Sequence, residues 1–266
     1  MSRSTTAAEL LESGVCGPGG LPSTELAHLV ERIVSGDRAH LAGLPPLRDR
    51  SRQRALAALE EVWGCDVRAP GINPEHTLRA ATTAATMLAR HASGRAPVAL
   101  ATAAPASLLP LHLRLARLAR AVGAPVAEKG DSGPLRVDGR RARRLRFLDG
   151  VAVVTDGEHL YATRGPDVAD EWLSALPRPA LVVADGPFVL GALNRGIPVI
   201  AFAGLQALAV GMVASEQRQA VVVPVHVGQS PAAYAPLLHA IDGAFAAAVT
   251  DTAGLSQNPR RPQPPS

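Results

Sequence analysis

The sequence predicts an α/β protein with a Rossmann-like, mostly parallel sheet flanked by helices and preceded by an N-terminal helical segment. In residues 178–203, two β-branched apolar runs, 180–184 and 197–202, flank a polar turn and a short helical stretch. This order of strand, helix and strand is typical of a βαβ unit. Strand and helix patterns then alternate from Pro97 onward, whereas residues 1–95 carry helical apolar spacing. We therefore expect a helical segment over 1–95, a Rossmann-like domain over 96–250 and a disordered tail over 251–266.

The N-terminal segment contains three predicted helices, over residues 23–34, 51–63 and 74–91, separated by turns rich in Gly and Pro. The third begins with Asn73 as N-cap and Pro74 in its first turn, which is a common helix start. Each is too short to be stable alone, so we expect them to pack on one another or on the sheet.

The second half supplies the other strands. Residues 98–102 and 124–127 are predicted strands around a leucine-rich helix over 107–122. Residues 151–155 and 159–162 bracket Asp156-Gly157, which indicates a hairpin. A linking helix over 168–176, a strand over 220–225 and a helix over 231–249 complete the domain. Residues 136–146 hold six arginines, and we interpret them as a solvated hairpin or loop in preference to a phosphate-binding strip.

Composition narrows the possible partners. The 266 residues carry a formal net charge of +4, but only 3% are aromatic, so stacking platforms for nucleic acid are scarce and we expect no nucleic-acid partner. The cysteines, Cys16 and Cys65, are far apart, and the N-terminus lacks a signal-like apolar stretch, so we expect reduced thiols and a cytoplasmic protein. Residues 197–214 are uncharged, but Pro198 and Gly204 interrupt them. They predict a buried strand and helix, with no membrane partner.

Polar residues follow the predicted strands at the sheet edge where parallel α/β folds bind ligands. They are Thr102, Asp156, Asp185 and His226, with Arg164 near the hairpin. Carboxylates from separate strands can bind a divalent ion, so Asp156 and Asp185 are the candidate ligands for Mg²⁺ or Mn²⁺.

Each of these residues also has a structural interpretation. Asp185 precedes Gly-Pro and a helix, so it can be an N-cap, and Asp156 before Gly157 can be a turn former. His226 lies between two valines and can be a strand-end or core residue. His112, inside the leucine-rich helix, is interpreted as a packing residue. These alternatives stay open at the level of sequence.

Taken together, several segments resemble a family of actinobacterial proteins known simply as phosphatases. They are Gly36-Asp37-Arg38, Asn73-Pro74-Glu75-His76-Thr77, Val98 to Thr102, Val151 to Val154 with Asp156-Gly157, and Leu181 to Gly186. Their order and spacing extend the similarity over nearly everything up to Leu238. The resemblance implies a Rossmann-like, metal-assisted hydrolase of the phosphatase type with an undefined substrate. As its partner we expect a small phosphorylated or anionic metabolite.

Three sites depart from the family pattern. Thr102-Ala103-Ala104-Pro105 stands where the family has Thr-Gly-His-Pro, Ala162-Thr163-Arg164 replaces a His-Thr-His sequence, and the mainly apolar residues 204–208 replace an Asn-Asp-Pro segment. Since alanine neither binds a metal nor transfers a proton, two hypotheses follow. One is a phosphomonoester hydrolase with Asp185, Asp156 and His226 as catalytic groups and with Thr102 and Arg164 binding phosphate. The other is a non-catalytic relative that binds a small ligand or a protein.

Overall fold

The computed structural model describes residues 5–41, 44–128, 143–165, 167–216 and 220–256. The helices of the N-terminal part are α1 (Ala7–Glu12), α2 (Ser23–Ser35), α3 (Arg38–Leu41), α4 (Arg52–Ala58) and α5 (Pro74–Ser93). Two short strands, β1 (Gly17–Pro18) and β2 (Gly71–Ile72), pair antiparallel between them. The three predicted helices are confirmed, and Asn73 caps α5 by accepting a hydrogen bond from the Glu75 N–H at 2.9 Å.

The second predicted helix is divided. Its last turn, Leu59–Trp63, is π-helical and ends at Gly64 in the left-handed conformation. The Trp63 indole, fully buried, donates to the Ala203 carbonyl at 3.2 Å. The ring lies so close to Gly211 that a Cβ there would be 2.4 Å from it. This turn therefore joins the helical segment to the sheet.

The remaining helices are α6 (Pro105–Ala121), α7 (Asp167–Ala175), α8 (Pro187–Asn194), α9 (Leu208–Glu216) and α10 (Ala235–Ser256). The strands are β3 (Val98–Ala101), β4 (Arg144–Leu148), β5 (Val151–Thr155), β6 (Leu160–Tyr161), β7 (Leu181–Asp185), β8 (Val199–Ala203) and β9 (Ala220–Pro224). They form one sheet in the order β4-β5-β3-β7-β8-β9, with β6 paired to β5. The predicted α/β class is confirmed.

The five strands β5, β3, β7, β8 and β9 are parallel, whereas β4 and β6 pair antiparallel with β5. All residues of β3, β5, β7 and β8 are buried, as continuous apolar strands covered on both faces should be. Helices α5, α6 and α10 contact one another, while α7 contacts α8 and α4 contacts α9. Helices thus flank the sheet.

Some predicted elements differ in detail. Residues 124–127 supply only a parallel bridge between Val126 and Val98, because Pro125 has no N–H with which to extend a ladder. The end of the arginine-rich segment enters β4, which turns into β5 at Asp149 and Gly150. Residues 136–142 of the arginine-rich segment lie outside the described residues.

The C-terminal helix extends further than predicted, to Ser256, so the proposed boundary at 250 lies within it. Residues 257–266 of the predicted tail lie outside the described residues. By length and composition alone the helical stretch Pro231–Thr252 is apolar enough to cross a membrane. Its Leu237, Ile241 and Phe245 are buried in the core, where α10 packs on α5.

Candidate functional site

The carboxyl edge of the sheet has one topological switch point, between β3 and β7. In chain order the parallel strands lie 2-1-3-4-5, and β3 is the first of them. The connections that leave β3 and β7 run in opposite directions across the sheet, so their loops separate and leave a crevice where such folds bind ligands. Thr102 and Asp185 stand at the start of these two loops.

Asp185 is the last residue of β7 and is 2% exposed. Its Oδ1 accepts a hydrogen bond from the Ala103 N–H at 2.8 Å, which ties the loop after β7 to the loop after β3. The Thr102 hydroxyl accepts from the Ala104 N–H at 3.1 Å. Asp185 is therefore not the N-cap of its own helix, because the N-cap of α8 is Gly186, which makes no side-chain bond.

The two loops approach each other closely. Gly186 has a φ of 55°, and a Cβ at this position would lie 2.7 Å from the Ala103 Cβ. Helices α6 and α8 both begin here with a proline in the first turn and without a side-chain cap. Since the first N–H groups of a helix lack intrahelical acceptors, both helices present partial positive charge to this crevice.

Behind the crevice, His112 of α6 faces Asp185. Its Nε2 lies 3.7 Å from Asp185 Oδ2, and both side chains are buried. In the described part of the chain neither atom has a hydrogen-bond partner. The His112 Nδ1 lies 3.0 Å from the Leu108 carbonyl oxygen, so it carries a proton and donates it. The Phe202 ring packs against the His112 ring in a T-shaped arrangement, with 5.5 Å between ring centroids.

The facing atoms of Asp185 and His112 are too far apart for a hydrogen bond, but their burial requires a proton on one of them. Two lone pairs facing each other in a buried site would repel, so either Nε2 or Oδ2 is protonated. Burial raises the pKa of Asp185, while His112, the Thr102 hydroxyl and nearby backbone N–H groups oppose that shift. Burial also lowers the pKa of His112 against the opposing charge of Asp185. Both directions favour a neutral carboxyl group beside a neutral imidazole.

Tyr234 and His226 lie at the neighbouring part of this edge. Tyr234, 1% exposed, donates its hydroxyl hydrogen to the His226 carbonyl oxygen at 2.7 Å. Burial raises the pKa of Tyr234, and hydrogen bonding from the loop after β9 and from Ser107 opposes this. The His226 Nε2 lies 3.1 Å from the Gly17 carbonyl oxygen. His226 therefore joins the sheet to β1, in line with the structural interpretation of a strand-end histidine.

Asp156 stands at the hairpin after β5 and has its carboxylate occupied within that turn. Oδ1 accepts from the N–H groups of Glu158 and His159, at 3.0 and 2.9 Å. Oδ2 accepts from the Tyr161 hydroxyl at 2.5 Å. These bonds, above all that from Tyr161, hold the pKa of Asp156 far below its usual range. The carboxylate acts here as a turn former.

Arg164 follows the hairpin and is exposed, while the adjacent Thr163 is buried. The Thr163 N–H donates to the Ala103 carbonyl oxygen at 3.1 Å, so this segment crosses beside the loop after β3. The structure thus brings Thr102, Asp185 and the backbone next to Arg164 to the switch point. It places His226 against β1 instead.

The donors present do not fit the predicted divalent metal. Among the described residues, no group of three or more His, Cys, Asp or Glu side chains is arranged to hold a metal ion. Both Asp156 oxygens already accept hydrogen bonds, and one Asp185 oxygen accepts from Ala103. These side chains therefore offer no complete ligand set for a metal-dependent step.

His112 is the residue that the sequence analysis missed as part of the site. Its position in a leucine-rich helix indicates packing, and it is indeed buried. The sequence held one further indication of its position. His112 lies seven residues after Pro105, two turns into α6, on the helix face that carries Leu108. That signal alone does not identify Asp185 as the group it faces.

Comparisons with known proteins agree with the resemblance noted from the sequence. A family model described as Phosphatase matches residues 1–246. A protein of Streptomyces coelicolor named as a phosphatase is 28% identical over 251 residues, which are 89% of this chain and 93% of that relative. No solved structure matches the chain.

Proposed function

The chain belongs to the Phosphatase family, and from this membership we propose that it is a phosphomonoester hydrolase acting on a small metabolite at the switch point. The observation that carries the proposal is the Asp185 carboxyl group, in which Oδ1 bonds to the Ala103 N–H while Oδ2 faces His112 without a hydrogen-bond partner in the described chain. A group that holds a proton beside a ligand crevice is a candidate acid or base.

In this proposal the residues around the switch point have separate roles. The starts of α6 and α8 and the exposed Arg164 attract the phosphoryl group, since helix N-termini and guanidinium groups both favour anions. Thr102 and Ala103 set the position of the loop through their bonds to Ala104 and Asp185. Asp185 supplies a proton to the leaving oxygen or takes one from water, with His112 beside it.

A second candidate is a protein that binds an organic phosphate without hydrolysing it. The observation that favours it is burial, because Asp185 is 2% and His112 0% exposed. For Asp185 to exchange a proton with a substrate, the loops at Ala103 and Gly186 must separate. A binding protein needs no such movement, since backbone N–H groups at the crevice suffice to hold an anion.

The test compares the wild-type chain, Asp185→Asn and Asp149→Asn as a matched control. Asp149 lies in the turn before β5, at the opposite edge of the sheet, and pairs with Arg117 at 3.2 Å. Turnover of a panel of phosphomonoesters is measured with Mg²⁺, with Mn²⁺ and with a chelator, because metal dependence is what the family resemblance implies. We expect a loss of at least about 100-fold in kcat for Asp185→Asn, the usual size of an acid or base contribution, and none for the control.

Binding of inorganic phosphate separates the two candidates. If phosphate shifts the amide resonances of Ala103 and Gly186 in the wild-type protein, but no phosphomonoester is turned over under any metal condition, the binding function stands and the hydrolase proposal is wrong. If turnover survives Asp185→Asn unchanged, the catalytic assignment of Asp185 is wrong.

A further inference from the structure

A second recognition site lies between α2 and the turn that follows β8. A cavity of about 320 Å³ opens there, which is within the size range of small-molecule sites. Leu21 and Leu29 form its apolar wall. Glu25, His28 and Arg32 also line it, and their spacing along α2 places them on one helix face.

The cavity belongs to the same edge of the sheet as Asp185. Its lining includes Gln206, which lies in the turn Leu205–Ala207 directly after β8. The Gln206 side-chain amide donates to the Gly20 carbonyl oxygen at 3.5 Å. Strand β8 is hydrogen-bonded to β7, with Phe202 opposite Asp185. The cavity is therefore one strand away from the switch point.

The charge in the cavity is positive where Arg32 meets His40. The Arg32 Nη1 lies 3.2 Å from His40 Nε2. Because a guanidinium group only donates, His40 Nε2 is the acceptor of this hydrogen bond. No carboxylate in the described part of the chain forms an ion pair with Arg32. The positive charge of Arg32 therefore remains available to an anion.

The opposite end of the cavity has different chemistry. Glu25 is two helical turns from Arg32, roughly 10 Å along the axis, and Gln206 faces the same space. A carboxylate and an amide can both bond to hydroxyl groups. The arrangement fits a ligand with an anionic group at one end and hydroxyl groups at the other.

We propose that this cavity binds small organic phosphates, with the phosphate at Arg32, His28 and His40 and the hydroxyl groups at Glu25 and Gln206. Arginine is suited to this role because its planar fork can donate two parallel hydrogen bonds to one phosphate. The site extends recognition beyond the switch point and does not depend on hydrolysis at Asp185.

The test uses the full chain carrying Asp185→Asn, so that the probe is not consumed. Glycerol 3-phosphate is titrated while the ring resonances of His28 and His40 are followed by NMR, with each resonance assigned by its loss in His28→Gln or His40→Gln. We expect both resonances to shift to saturation. Arg32→Gln should weaken binding at least tenfold and Arg32→Lys less. Inorganic phosphate should bind more weakly, since it offers no hydroxyl-bearing carbon chain.

Arg52→Gln is the matched control, because Arg52 is an exposed arginine that pairs with Glu31 and does not line the cavity. It should bind as its parent does. Unmoved His28 and His40 resonances, or equal binding by Arg32→Gln, would overturn the proposal. This result is independent of turnover in the wild-type chain, so either proposal can fail alone.

Discussion

The proton held by the buried pair of Asp185 and His112 predicts how stability depends on pH. Burial raises the folded-state pKa of Asp185 above its unfolded value of about 4. The folded chain therefore keeps a proton on this pair that the unfolded carboxyl has lost. By linkage, rising pH stabilises the state that binds fewer protons, which here is the unfolded state. Asp185 therefore lowers the free energy of unfolding as pH increases above about 4.

The size of the effect follows from one proton. Retaining one more proton in the folded state costs about 1.4 kcal/mol per pH unit. Asp185→Asn removes this dependence while keeping an acceptor for the Ala103 N–H and adding an amide N–H that can donate to His112. The unfolding free energy of the variant minus that of the wild type should therefore rise by about 1.4 kcal/mol per pH unit, until the wild-type pair releases its proton.

His112 determines how the unfolding free energy of each protein, the wild type and Asp185→Asn, depends on pH. Because burial lowers the pKa of His112, the unfolded chain binds an extra proton there below about pH 6.5. In the wild type this offsets Asp185 between about pH 4 and 6.5, so the pair contributes a flat region followed by a fall. In Asp185→Asn only His112 remains, and its contribution rises with pH up to about 6.5 and is flat above it.

The assay is urea unfolding of both full-length proteins at half-unit steps from pH 5 to pH 9. Taking the difference at each pH cancels the titration of every other group. For a chain of this size, 1 kcal/mol corresponds to a melting shift of roughly 2–4 °C, so thermal melting gives a second reading. A difference that stays constant over this whole range would show that Asp185 is ionised in the folded state, and the proton assigned to this pair would be refuted.

Two further predictions concern packing and thiol chemistry. Gly211→Ala should lower the free energy of unfolding by about 1–3 kcal/mol, because the new methyl group overlaps Trp63. As a control, Gly243→Ala in α10, which has open space at its Cβ, should raise the free energy of unfolding by up to about 1 kcal/mol. Equal effects of the two substitutions in urea titrations would contradict the close approach of Trp63 to Gly211. Burial raises the pKa of Cys16 to about 11, so in a Cys65→Ser chain an aromatic disulfide reagent at pH 8 should react slowly with native protein and fully after denaturation. Fast native labelling would place Cys16 at the surface.

Periodicity and local chemistry were enough to predict much of the fold. The apolar runs of β7 and β8 and the intervening turn predict a βαβ unit because strands buried on both faces must be apolar throughout. Asn73-Pro74 predicts the start of α5 because capping depends on adjacent residues only. The same local logic correctly places Thr102 and Asp185 at strand ends. It also favours the turn-forming role seen for Asp156, whose carboxylate accepts hydrogen bonds from Glu158, His159 and Tyr161 within five residues.

Tertiary structure alone decided which of these side chains meet. Asp185 contacts the Ala103 N–H 82 positions earlier in the chain, because β3 and β7 became neighbours in the sheet. No sequence spacing encodes that pairing. His112 became the partner of Asp185 for the same reason, and Arg32 and Gln206 line one cavity only because α2 folds over the end of β8. Sequence thus determined the elements and their ends, whereas the packing of distant segments determined the site, since burial and the protonation that follows from it arise only where the fold brings groups together.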